Sequence, residues 1–391
     1  MPGTGVAINP EWALLFAACS TKPSEEKAIA LQSLLKQTIR WKFLFAMAER
    51  HGLQPLLYQA LSGGRLADEQ AVPAEELHAL QRAYQTNLHK ALLLSRELIR
   101  IVDHLTALGI EVMPYKGLAL AEALYGDIAS RQTGDIDLLI RPRDLPRIRQ
   151  AVGELGYKPH LTLSPTHERA YLKSGYEYAF DGAAGANLLE VQWAIQPRFY
   201  AVDFDMDGLF RRAIVLTVAG HPMKTPSAED LFLVLSVHAA KHVWARLVWL
   251  CDIARLMNLP NLNWEWIGSQ ARELGVLRIL QVTILLANRL LGAVTPAAAQ
   301  QFLPEDPSAV ALGEEIQNYI VSESAFNTES AAYFRLMIRL RERPGDRLRF
   351  LQRLVFTPGP GEWNAVHLPV PLFPLYRLVR LARLAARIAR A

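Results

Sequence analysis

Apolar residues recur at three- and four-residue intervals through most of residues 11–110, most clearly from Trp41 to Arg50 and from Leu88 to Leu108. That period predicts helices with one buried face. Gly63-Gly64 interrupts it and reads as a loop. At Ile110-Glu-Val-Met-Pro-Tyr115 the period shortens to that of a strand. From there to about Thr225 the pattern predicts strands near 111–115, 135–141, 157–163, 176–180, 187–195 and 213–218. Helices are expected at 118–126 and 144–154, with Asp144 capping the second. In Thr225-Pro-Ser227-Ala-Glu-Asp230 a serine is placed to cap a further helix, which runs to Asn258 if it is continuous. Helices then dominate to the end. Five prolines between Pro358 and Pro374 predict an extended arm before a last helix, Leu375 to Arg390. The expected class is α/β in the α+β sense. A small mixed-sheet core, 111–225, is flanked by an N-terminal helical region, 1–110, and a C-terminal helical domain, 226–391.

The strand at 135–141 opens with Asp135-Ile-Asp137, followed by Leu138-Leu-Ile140. Residues two apart on a strand share a face, so the two carboxylates project together while Ile136 turns into the core. Carboxylates that close repel unless something neutralises them. Hard oxygen donors suit Mg²⁺ or Mn²⁺. Lys116-Gly117 lies just before a predicted helix, where free N–H groups and the helix dipole favour phosphate. An Asp pair beside an anion site is suited to a nucleoside triphosphate.

These residues resemble the nucleotidyltransferase superfamily that includes DNA polymerase beta, with its glycine turn, Asp-x-Asp strand and third carboxylate on a later strand. More narrowly, the chain is similar to a bacterial family of uncharacterised nucleotidyltransferases. The likeness takes in His51-Gly-Leu-Gln-Pro-Leu-Leu57, the Lys116-Gly117 to Asp137 core and the run Asn187-Leu-Leu-Glu190-Val-Gln-Trp193. It continues through Ser227-Ala-Glu-Asp230, His238-x-x-Lys241-His242-x-Trp244 and the tail from Phe356-Thr-Pro to Leu368-Pro. The resemblance implies two metal ions on Asp135 and Asp137, with Glu190 as the third ligand or the base and Glu177 as its alternative. It implies in-line attack on an NTP α-phosphorus with pyrophosphate leaving. Lys116 replaces the first small residue of the family's turn, the gap from Gly117 to Asp135 is long, and Gln192 stands where a His is expected.

Lys116 would steady the β- and γ-phosphates, or else be a snorkelling lysine at a strand end. Arg131 would neutralise the leaving group, or else pair with Asp127. On one continuous helix, His238, Lys241, His242, Trp249 and Asp252 fall within an arc of about 100°. That polar stripe predicts a wall closing over the triphosphate or acceptor, the alternative being a buried Asp252–His hydrogen bond. His238 and His242 have zinc spacing, but no third ligand set accompanies them.

Composition adds bounds. The chain has 391 residues, 51% hydrophobic and 20% charged, which excludes a disordered protein. Two cysteines, Cys19 and Cys251, make no disulfide framework, and with no signal peptide or membrane span read, a cytoplasmic location is expected. Residues 335–391 hold twelve Arg, no Lys and three acids, or +9, so with +4 overall the rest sums to −5. On the last helix Arg377, Arg380, Arg383, Arg387 and Arg390 oppose Leu378, Leu381, Leu384 and Ile388. That predicts a helix docked on its own protein with a solvated Arg face, or a contact with nucleic acid or a membrane surface. The expected activity is metal-dependent transfer of an NMP group to a protein or peptide side chain, a small molecule or an RNA end. An inactive nucleotide-binding regulator and an RNA-directed toxin are the alternatives.

Overall fold

A five-stranded mixed sheet carries the chain's carboxylate cluster. The computed structural model describes residues 8–62, 72–183, 187–301, 306–322, 327 and 330–389, so Gly63-Gly64 lies outside it. The strands are β1 (Val112–Pro114), β2 (Asp135–Ile140), β3 (Lys158–Pro159), β4 (Glu177–Asp181) and β5 (Leu188–Gln192), in the order β1-β2-β5-β4-β3. Only the central β2–β5 pair is parallel among them. A hairpin, β6 (Ile214–Val218) with β7 (His221–Thr225), turns through Ala219 and Gly220, both at positive φ.

The period-2 pattern explains what covers each face. Ile136, Leu138 and Ile140 join Leu189 and Val191 in an apolar cluster with the long helix Ala74–Ala107 and the helix Leu145–Glu154. The opposite face places Met113, Tyr115, Leu139 and Ile195 in a larger cluster with the helices of residues 10–62 and those from Ala228 to Phe356. Asp135 and Asp137 project on that second side, so they face the C-terminal helices.

Several local expectations change. The strand near 157–163 shrinks to Lys158–Pro159, because Ser164 Oγ accepts from His167 N–H and starts a helix, Pro165–Ser174. β7 contains Pro222, which masked its strand character. Asp144 does not cap by its side chain, which lies 3.7 Å from Arg147. The proline-rich arm holds a short helix, Pro360–Ala365, and a 3₁₀ turn, Val370–Leu375.

The last helix, Tyr376–Ala389, reverses the expected facing at four positions. Arg380 and Arg383 turn inward, 3.2 and 3.6 Å from Glu362, while Leu378 and Leu381 are 60% and 39% exposed. Glu362 is buried and needs compensating charge, which outweighs burying two leucines. Leu384 does pack inward. The side chains of Arg387 and Ile388, and Arg390 altogether, lie outside the described residues.

Candidate active site

The parallel register of β2 and β5 sets Asp137 beside Glu190 and Leu139 beside Gln192, while β4 sets Glu177 beside Gln192. Four carboxylates from three strands therefore share one sheet face. Asp137 is buried, and Lys116 Nζ lies 2.9 Å from its Oδ1. Gln192 Nε2 reaches Asp137, Glu190 and Glu177 at 3.3–3.5 Å, and its Oε1 accepts from the Tyr115 hydroxyl. The glutamine that replaces the expected His thus ties the acidic groups together. Asp135 has no hydrogen-bond donor or ion-pair partner among the described residues.

The electrostatics follow. Burial, then repulsion from Asp137, raises the Asp135 carboxyl above its ordinary value. Burial, then Asp137 and Glu177, pushes Glu190 up to about 8. Burial pulls the Lys116 ammonium down, but Asp137 and Tyr115 outweigh it, so the amine stays charged. Lys116 is thus a counter-ion to Asp137 at the cavity wall, and not a snorkelling lysine at a strand end.

Gly117 takes φ +53°, and a Cβ there would lie 2.9 Å from Thr133 and 3.4 Å from the Asp135 carbonyl. Glycine is required because the turn passes against the strand entry that carries Asp135. The helix Leu118–Tyr125 starts from it.

The C-terminal wall arrives differently from the expected continuous helix. Ser227 does cap, its Oγ accepting from Asp230 N–H, but the helix ends at Lys241. Val243 and Trp244 take φ +54° and +48°, and a second helix, Leu247–Met257, begins after the bend. A β-branched residue at positive φ is strained, and buried Trp244, donating from Nε1 to Thr283 Oγ1 at 3.2 Å, anchors the turn. The bend still brings Trp249 against His238 and His242, with ring centroids 4.9 and 5.3 Å away. Asp252 leaves the group. It accepts from Arg131 at 2.8–3.1 Å and from the Tyr125 hydroxyl at 2.8 Å. The alternative Asp127–Arg131 and Asp252–His pairs are both absent among the described residues; Asp127 instead accepts from Tyr84 and Ser130.

Nine of the residues singled out on the sequence line one cavity of about 340 Å³, and Asp252 does not. Lys116, Gly117, Arg131, Asp135, Asp137 and Glu190 form the sheet side, facing His238, Lys241 and His242. Lys241 Nζ sits 3.3 Å from the Tyr176 hydroxyl, and burial, then Lys116, lowers its amine to about 8. Burial, then Lys241, drops His242 to about 3, and burial, then Lys116, holds His238 well below its ordinary range. Both imidazoles are neutral at pH 7. Tyr176 and Arg246 also line the cavity and were not foreseen. Arg246 follows the unforeseen bend, and the guanidinium has no ion-pair partner among the described residues.

No group of three or more His, Cys, Asp or Glu side chains is close enough to hold a metal ion among the described residues. His238 and His242 therefore make no zinc site there. The acidic face nonetheless fits a hard divalent cation in its donor chemistry. It offers oxygen ligands from Asp135, Asp137 and Glu190, one of them unpartnered and two with raised affinity for positive charge.

The sequence model of a family described as uncharacterised nucleotidyltransferase matches residues 37–292. No curated protein matches the chain. Among solved structures, that of the antibiotic-resistance factor ANT(2'')-Ia aligns at 16% identity and TM-score 0.32, covering 45% of this chain and 89% of that one.

Proposed function

We propose that this chain, which belongs to the uncharacterised nucleotidyltransferase family, moves a nucleotidyl group from an NTP to an acceptor hydroxyl in the cavity between the sheet and the C-terminal helices. The observation that carries this reading is the carboxylate face of Asp135, Asp137 and Glu190 opposed by the cations Lys241 and Arg246 across one cleft.

A divalent cation held by Asp135, Asp137 and Glu190 would supply Lewis-acid stabilisation of phosphoryl charge. The chain's own groups do the rest. The acceptor oxygen bonds to the α-phosphorus, the bond from that phosphorus to the bridging oxygen breaks, and pyrophosphate leaves. Glu190, ionised once the cation has displaced its own proton, takes the acceptor's proton. Lys241 and Arg246 meet the negative charge that accumulates on pyrophosphate. Neutral His238 and His242 donate hydrogen bonds without adding charge, and their depressed pKa values keep them so. Gly117 lets the turn pack against Thr133 and the strand entry that carries Asp135.

The Lys116–Asp137 pair favours a second reading, a nucleotide-binding protein without turnover, since the ammonium sits on an oxygen that a cation needs. One experiment separates them. The protein is incubated with Mg²⁺ and each α-labelled NTP in lysate, and the label is located. Transfer to a discrete product supports the proposal; bound nucleotide with no transferred label under any NTP rejects it.

Two outcomes are expected here. Metal binding must displace the Glu190 proton, so Mn²⁺ affinity rises with pH and levels off above about 8. In the metal-free protein the same raised pKa costs stability progressively as pH climbs from the unfolded carboxylate range toward 8. Glu190→Gln should flatten both profiles, and isotherms at several pH values check it. Lys241→Gln should lower kcat/KM for NTP by roughly one to three kcal/mol, the range for one charge-assisted contact. Its Tm should hold or rise, because burial already opposes the ammonium. A lower Tm with unchanged kinetics would make Lys241 a brace.

A further inference from the structure

A second cavity, about 600 Å³, lies beside the catalytic cleft, and no carboxylate lines it. Lys173, Arg198, Arg353 and Arg377 reach it from four separate elements. Arg353 is neutralised by Asp203 at 2.6–2.7 Å. Lys173, Arg198 and Arg377 are exposed, and their side chains make no ion pair or hydrogen bond among the described residues. The Arg353 hydrogen bond, with Arg349 and Arg198 behind it, holds Asp203 below the usual carboxylate range. One carboxylate thus answers several guanidinium groups. Like charges gathered round a hollow repel, and an anion relieves them.

Four aromatic residues, Phe356, Trp363, Phe373 and Tyr376, also line it. Phe356 is 54% exposed at the rim. Trp363 and Phe373 stand on either side of His167, stacked on it at 5.3 and 5.0 Å. The hydroxyl of buried Tyr376 accepts from Leu368 N–H and donates to the Val366 carbonyl. Flat apolar groups pack well on such a surface, and guanidinium planes add to the stacking.

A groove of about 270 Å³ joins the two sites. It shares Ser174, Thr357 and Pro358 with the basic cavity and Tyr176 with the catalytic cleft. Lys173 and Glu177 are four residues apart, so their Cα atoms lie within about 14 Å whatever the path. A molecule of modest length can therefore occupy both ends.

We infer that the basic-aromatic cavity binds the far end of the acceptor, an anionic phosphate or carboxylate group carried on an aromatic body. The acceptor's chain lies along the Tyr176 groove with its hydroxyl at the carboxylates. The placement of that hydroxyl rests on the nucleotidyl-transfer reading; the anion site does not.

The test needs no transfer activity. 1-Naphthyl phosphate and 1-naphthoate are titrated calorimetrically into three proteins, each shown to be folded at the titration temperature. These are the wild type, the exposed-cation variant Lys173→Gln/Arg198→Gln/Arg377→Gln, and Asp135→Asn. The expected result is binding to the wild type and to Asp135→Asn alike, and about tenfold or greater weakening in the cation variant. Tighter binding of the phosphate or of the carboxylate says which anion the acceptor carries, and either upholds the site. No binding to the wild type overturns the inference. So does binding that the cation variant leaves unchanged, which would place the probe elsewhere. Failure of nucleotidyl transfer with this binding intact would overturn the catalytic reading and spare the cavity.

Discussion

Asp135→Asn and Asp137→Asn should each lower nucleotidyl transfer by about a thousandfold or more, because each removes a charge that the reacting phosphate's cation needs. Their stabilities should diverge. The folded-state pKa of Asp135 is raised above its unfolded value, so its ionised form costs the metal-free protein stability. That cost is absent at low pH, where the group is protonated in both states, and grows as pH rises through the folded value. Asp135→Asn removes it, and the metal-free Tm at pH 7 should rise. Asp137→Asn acts the other way. The Lys116 side chain is only 12% exposed and has Asp137 as its one ion-pair partner among the described residues. Stranding its ammonium should cost about 2–3 kcal/mol. Calorimetry in chelator, beside transfer assays with Mg²⁺, reads both effects. Full transfer in either variant would end the claim that these carboxylates carry the reaction.

The divergence also marks how far the sequence could be read. The shared face of Asp135 and Asp137 follows from period 2 alone, and Ile136 is buried where that period puts it. Glu190 needed more, since its place beside Asp137 is a parallel register between strands some fifty residues apart, and only the motif pointed to it. The His238–His242 wall does not have the geometry of a continuous helix. Val243 and Trp244 bend the chain at positive φ, which no local pattern of apolar residues announces. The residues before the bend and Trp249 after it still meet the cleft, while Asp252 is carried away to Arg131. Arg246 and Tyr176 each enter the cavity from irregular backbone just before an element, where side-chain direction follows tertiary contacts and not period. The tail failed differently. Amphipathicity correctly predicted a helix, but not that buried Glu362 would draw Arg380 and Arg383 inward.

Arg131→Ala should destabilise the protein by about 3–5 kcal/mol, the usual consequence of stranding a buried carboxylate. Asp252 is fully buried, and beyond Arg131 it accepts only from the Tyr125 hydroxyl among the described residues. This pair joins the turn before β2 to the Leu247–Met257 helix, so it closes the cleft from the sheet side to the helical wall. Arg131 also lines that cleft, and its two possible duties make opposite forecasts for one double variant. Replacing both partners together, as Arg131→Met with Asp252→Leu, removes the ion pair without leaving either charge behind. Apolar replacement of a buried pair is often near neutral in stability. The double variant should therefore recover most of the Tm lost in Arg131→Ala, and the non-additivity measures the coupling. If Arg131 only braces the wall, transfer recovers with the Tm. If its guanidinium also meets the leaving pyrophosphate, kcat stays low in a protein that is again stable. We expect recovery of both, because the guanidinium already spends its Nε and one terminal nitrogen on Asp252 and donates weakly from the other to the Gln132 carbonyl. A stable double variant with kcat still depressed would assign Arg131 to the chemistry instead.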